Sequence, residues 1–227
     1  MIWTLPNILT FARILAAPCV ALVFVVFERP LADWLAFCLF VGAALTDFFD
    51  GWLARALGQI SEIGKMLDPI ADKAMVIIAL MVLFLRDGAT APVVTGDGTA
   101  WVARQGYLMW LVLPAVLIIL RETLVSGLRE YLGDVKLRTT MMAKWKTTVQ
   151  MFAVGVLLGI EPMRGLLAGG VPERYSDYPD AFAHMTFIGY ATTAGVMLLW
   201  LAALLTVLTG WDYFQKGLAH LKARGGA

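Results

Sequence analysis

Cysteine and histidine are nearly missing from this chain, with two of each in 227 residues. Two thiols do not make a disulfide framework or a thiolate metal site. Cys19 and Cys38 lie in apolar runs and read as small packing residues. His184 and His220 have no companion histidine or nearby acid at ligand spacing, so imidazole metal chemistry is not expected. Charge is scarce too: 15% of residues are charged and 60% are hydrophobic, with a mean hydropathy of +0.76. That balance excludes an ordinary soluble domain and points to a polytopic membrane protein. No basic region precedes the first apolar stretch, MIWTLPNILTFARILAAPCVALVF, so a cleavable signal peptide is not expected. No repeat or low-complexity tract is visible, and residues 1–227 are expected to form a single domain.

What the chain does have is long apolar runs. Six can be picked out: Thr10–Phe27, Leu31–Leu57, Leu67–Leu85, Tyr107–Leu128, Trp145–Ile160 and Met185–Thr209. Each approaches the ~20 residues that span a bilayer. Lipid offers an open chain no way to satisfy its backbone except as a helix. The expected fold is therefore all-α, a membrane bundle of about six transmembrane helices. Pro6 and Asn7 are expected to lead in along the membrane surface. Trp101 and Trp211, near span ends, read as interface anchors, and the eleven methionines as apolar filler. If alternate loops take opposite sides with the N-terminus inside, thirteen of the 18 Lys and Arg fall inside, Arg13 among them, and five fall outside, among them Arg86 in the loop after the third apolar run. Basic residues accumulate on the cytoplasmic side, which places both termini and residues 46–73 there.

Residues 46–73, TDFFDGWLARALGQISEIGKMLDPIADK, carry Asp47, Asp50, Asp68 and Asp72 between lipid-soluble segments. Carboxylates at membrane depth are costly and usually have a function. On a helix of about 100° per residue, Asp47, Gly51, Ala54 and Gly58 form one stripe, acidic at its start and nearly free of side chains beyond. Asp50 and Arg55 flank it. Small residues at this spacing let a helix or a ligand approach closely. Gly64, Asp68 and Asp72 recur at i, i+4 and i+8, again on one face. Asp68 precedes Pro69, which predicts a helix that starts there with Asp68 near its N-cap. Four converging carboxylates repel one another unless cations lie between them, and their oxygens are the hard ligands that Mg²⁺ or Mn²⁺ prefers. Asp47 follows Trp34 by thirteen mostly apolar residues, roughly 20 Å of helix. The site is thus expected near the inner headgroups, in a water-accessible cavity where phosphates of a lipid would lie.

The full spacing is Asp47-x2-Asp50-Gly51-x2-Ala54-Arg55-x8-Gly64-x3-Asp68-x3-Asp72. It resembles, at every specified position, the signature of the CDP-alcohol phosphotransferases. The resemblance implies a six-helix membrane enzyme, usually a homodimer, that transfers the phosphatidyl group of a CDP-linked lipid to an alcohol and releases CMP. It implies that Asp47, Asp50, Asp68 and Asp72 serve Mg²⁺ or Mn²⁺, two ions in all, and that Asp72 acts as general base. Gly51, Ala54, Arg55 and Gly64 would belong to the nucleotide and donor site, with Arg55 on the phosphates.

The acceptor is less closely specified. LPNILTFARI (5–14), RETLVSGLRE (121–130) and KWKTTVQM (144–151) resemble stretches in members of the family whose donor is CDP-diacylglycerol and whose acceptor is sn-glycerol 3-phosphate. Serine, inositol phosphate and phosphatidylglycerol remain alternative acceptors. Arg121 interrupts an apolar helix and should point into the bundle. With Lys144 and Lys146 it could bind a phosphate-bearing acceptor, Arg supplying a bidentate fork. Bases in these loops can also anchor anionic lipid. An ion or metal transporter is the rival from another class. It would need polar groups across both leaflets, whereas the outer halves of these helices read as plain.

Overall fold

The computed structural model describes residues 5–57, 62–90, 99–132, 141–167 and 181–225. They form six helices: α1 (Leu5–Val26), α2 (Leu31–Leu57), α3 (Glu62–Thr90), α4 (Thr99–Leu132), α5 (Met141–Leu167) and α6 (Ala181–Gly225). Among the described residues there is no strand. The expected all-α architecture stands, and the ends of α2 coincide with the predicted ones. The other helices run past the apolar stretches because backbone hydrogen bonding continues after hydrophobicity stops, except that α1 stops at Val26, one residue short of its expected end. Pro6 and Asn7 belong to α1 itself rather than to a separate lead-in.

Among the described residues, Asn7–Val26, Met109–Leu128, Trp145–Leu167 and Phe187–Leu218 are long and apolar enough to cross a membrane. Their outer faces are bare of polar cover: Leu15, Leu22 and Val25 on α1 and Met197, Leu204 and Leu208 on α6 are exposed. In water such surface would drive association; against lipid tails it is the normal exterior of a membrane bundle. Cys19 and Cys38 are free thiols on exposed positions. They are not packing residues, because small side chains on the lipid side need no neighbour.

The chain divides into two compact units, residues 1–90 with 154–195 and residues 91–153 with 196–227. In the first, α1 sets the interior. Asn7, Thr10, Arg13, Ala17 and Val20 are buried, three or four residues apart, so they make one helical stripe. The stripe is polar at its N-terminal end and apolar beyond. Close approaches occur elsewhere in the same unit. A Cβ on Gly159 would lie 2.9 Å from the ring of Phe37, and one on Gly195 would lie 2.8 Å from Leu157, so the small residues let side chains from neighbouring segments nest against the backbone.

Prolines lie inside four helices: Pro18, Pro69, Pro114 and Pro162. This overturns the predicted start of α3 at Asp68. The helix begins at Glu62 and continues through Pro69, since membrane helices tolerate proline where other groups satisfy the freed carbonyl. The far ends of α2 and α3 are not plain either. Asp33 and Arg86 are both buried, with Arg86 Nη1 3.9 Å from Asp33 Oδ1 and Arg29 Nε 3.5 Å from Asp33 Oδ2. Each of these buried charges lies fourteen residues, about 21 Å of helix, from an aspartate of the signature.

The second unit contains α4. Leu111, Ala115 and Ile118 form its buried face, and Arg121 is the next residue on that face. Opposite lies the later part of α6, where Leu199, Ala202, Ala203 and Thr206 are buried. The ring of Trp200 meets that of Trp110 edge-on, and its Nε1 donates to the Trp110 carbonyl at 3.0 Å.

Candidate active site

The polar end of the α1 stripe gathers the acids. Arg13 Nη1 donates to Asp72 Oδ1 at 2.6 Å and also to Asp47 Oδ1. One guanidinium therefore joins a carboxylate of α2 to a carboxylate of α3. One turn earlier on α1, Thr10 Oγ1 donates to Asp68 Oδ1 at 2.8 Å. Asp68 thus answers to α1 rather than capping α3. Its face is as predicted: α3 is helical from Glu62, so Gly64, Asp68 and Asp72 are successive turns of one side.

The burial is asymmetric. The Arg13 side chain is 1% exposed, while those of Asp47 and Asp72 remain 45% and 39% exposed. The carboxylates keep surface available to a ligand while their counter-charge is sealed in the protein. Among the described residues, no three acids, imidazoles or thiolates stand close enough to ligate one ion as they are; a guanidinium lies between two of them. Asp50, Gly51, Ala54 and Arg55 are on helical backbone of α2, but their side chains lie outside the described residues, as Gly58 does altogether.

Arg13 is the residue that sequence reasoning missed. The sequence presents it only among the bases that orient the chain, although a lone arginine within the apolar span Asn7–Val26 carries the same signal as the aspartates. What a linear reading lacks is the knowledge that α1 faces α2 and α3.

In the second unit, Arg121 does point inward, with its side chain 11% exposed. Nη1 lies 3.3 Å from Glu122 Oε1, and Nη2 donates to Thr209 Oγ1 at 3.1 Å. The guanidinium carbon is 6.0 Å from the centre of the Tyr213 ring, within cation–π range. Lys146, also buried, donates to the same oxygen of Glu122. A mostly buried guanidinium and a buried ammonium thus share one carboxylate oxygen. Lys144 is on α5, with its side chain outside the described residues. The role of Gly210 was not legible: a Cβ there would lie 2.7 Å from Arg121 Cγ, so the glycine makes room for the arginine.

The acids thus form a cluster made by two helices and braced by a third. The sequence model of the CDP-alcohol phosphatidyltransferase family matches residues 3–211, and the chain belongs to that family. Curated relatives are similar along nearly their whole lengths. The CDP-diacylglycerol–glycerol-3-phosphate 3-phosphatidyltransferase of Cereibacter sphaeroides is 47% identical, over 98% of this chain and 99% of the relative. The protein of that name from Rickettsia bellii is 37% identical, over 93% of each chain. The one from Escherichia coli K12 is 32% identical, over 97% of this chain and 98% of the relative. With its apolar helices, the chain is an integral membrane protein.

Proposed function

We propose that this protein transfers the phosphatidyl group of CDP-diacylglycerol to sn-glycerol 3-phosphate, giving phosphatidylglycerol phosphate and CMP. The observation that carries the reading is the meeting of Asp47, Asp68 and Asp72 on the polar end of α1, in a chain whose full-length relatives bear the name of that activity. The reading includes an inner-membrane location, both termini and the acids on the cytoplasmic side, a single functional domain spanning the chain, and a homodimer.

The donor set suits divalent metal: hard carboxylate oxygens, half exposed, with no competing thiolate or imidazole among them. Asp47, Asp50, Asp68 and Asp72 would hold Mg²⁺ or Mn²⁺, two ions in all. When bound, such ions neutralise the diphosphate and the charge that develops on the departing CMP. The protein's own groups do the rest. Gly51, Ala54 and Gly64 leave room for the nucleotide, and Arg55 binds its phosphates. Asp72 takes the proton of the acceptor hydroxyl. The hydroxyl oxygen forms a bond to the phosphorus that bears diacylglycerol, and the bond from that phosphorus to the oxygen bridging to CMP breaks. CMP leaves with the electron pair. Arg121, Lys144 and Lys146 bind the acceptor's own phosphate, with Arg121 and Lys146 brought together on Glu122.

The test is CMP release from CDP-diacylglycerol by the purified full chain, with glycerol 3-phosphate, serine, inositol phosphate and phosphatidylglycerol offered in turn. Glycerol 3-phosphate alone should support turnover. Equal turnover with another acceptor would overturn the acceptor assignment, and no CMP release with any acceptor would overturn the reaction.

A further inference from the structure

We infer that Arg13 is a built-in counter-ion of the aspartate site, which holds its carboxylates together before metal binds and gives way when metal arrives. The inference rests on the metal reading above and concerns this chain's own residue. Three observations support it. The guanidinium bridges Asp47 and Asp72, which belong to different helices. It is sealed from solvent while both carboxylates are not. And Thr10, one turn earlier on the same helix, donates to Asp68 at 2.8 Å, so α1 touches all three carboxylates.

The electrostatics explain why such a device is needed. Asp47, Asp68 and Asp72 bring three negative charges to one end of α1, and like charges at this spacing repel strongly where water is thin. Without a cation the metal-free helices would be pushed apart. A fixed guanidinium offsets that repulsion, and Thr10 holds the third carboxylate through a neutral hydrogen bond. The same charge opposes an incoming dication. Arg13 is therefore a positioning residue that exchanges some metal affinity for a site assembled in advance.

The experiment measures Mn²⁺ binding by electron paramagnetic resonance on the full chain in detergent, and thermal unfolding in EDTA and in Mn²⁺. In EDTA, Arg13→Gln should melt well below wild type. In saturating Mn²⁺ the gap should close by half or more. Its Kd for Mn²⁺ should fall about tenfold, since a unit charge a few ångströms from the ion has been removed. Arg13→Lys keeps the charge and should bind Mn²⁺ within about threefold of wild type, which tests the charge even if the glutamine variant folds poorly. Wild type that binds no Mn²⁺ would overturn the metal reading itself. Wild type that binds Mn²⁺, with Arg13→Gln unchanged or weakened in affinity, would overturn this inference and leave the metal reading standing. Arg13→Lys binding Mn²⁺ tenfold tighter would also overturn it.

Discussion

Arg86 donates to the carbonyl of Leu158 at 3.2 Å, and that is the carbonyl which Pro162, four residues on, leaves without its helical donor. Its other terminal nitrogen donates to Leu157 O at 3.0 Å. A base that the sequence assigned to an outer loop is thus a buried brace, satisfying α5 where its own backbone cannot and lying beside Asp33. Arg86→Leu should cost about 3–5 kcal/mol, the usual result of stranding one partner of a buried ion pair. Pro162→Ala restores the missing N–H. In that background the loss from Arg86→Leu should shrink by about 0.5–1.5 kcal/mol, the net worth of one hydrogen bond. Unfolding in detergent of both single variants and the double variant measures the coupling; strict additivity would show that the carbonyl contact contributes nothing.

Metal dependence is the second expectation. EDTA should abolish CMP release, and Mg²⁺ or Mn²⁺ should restore it. Asp47→Asn and Asp68→Asn should each lose most activity while still inserting, because an amide is a poorer ligand for a hard cation. Full turnover in EDTA by folded protein would remove the metal from the mechanism.

Orientation can be read chemically. Cys19 and Cys38 lie on exposed positions, so replacing both should leave the packing intact. In that background, a cysteine at Gly98 should react with an impermeant thiol reagent outside intact cells, and one at Gly133 should not. The reverse pattern would invert the topology drawn from the distribution of Lys and Arg.

These expectations divide along a physical line. The six helices were legible because lipid imposes length and apolarity directly on the sequence, and α2 was bounded correctly at Leu31 and Leu57. The shared face of Gly64, Asp68 and Asp72 was legible because helical periodicity is local. Pro69 misleads because proline ends or starts helices in water, whereas α3 continues through it. Arg13 and Arg86 misled for a different reason. Each was assigned by its position along the chain, and each acts through residues 34 to 72 positions away. Which helix a charge faces is a tertiary fact, and no periodicity records it. Gly210 was invisible for the same reason, since the side chain it accommodates belongs to α4.

Gly210 makes the acceptor assignment testable from both sides of one contact. Glycerol 3-phosphate brings a dianionic phosphate, and charge-assisted hydrogen bonds to such a group are worth about 1.5–3 kcal/mol each, where about 1.4 kcal/mol is a factor of ten. Arg121→Ala should therefore raise KM for glycerol 3-phosphate roughly tenfold or more. Gly210→Ala should move it in the same direction with the arginine still present. The new methyl would lie 2.7 Å from Arg121 Cγ, near the root of the side chain rather than its flexible end, so the guanidinium must leave its place beside Thr209 and Glu122. If both variants act through one group, combining them should cost little more than Arg121→Ala alone. KM for CDP-diacylglycerol should stay nearly constant in all three, whereas Arg55→Ala should shift it and spare the acceptor. Arg121→Ala damaging only donor binding would refute the acceptor role of this cluster. Gly210→Ala that leaves KM unchanged would show that Arg121 can serve from another position.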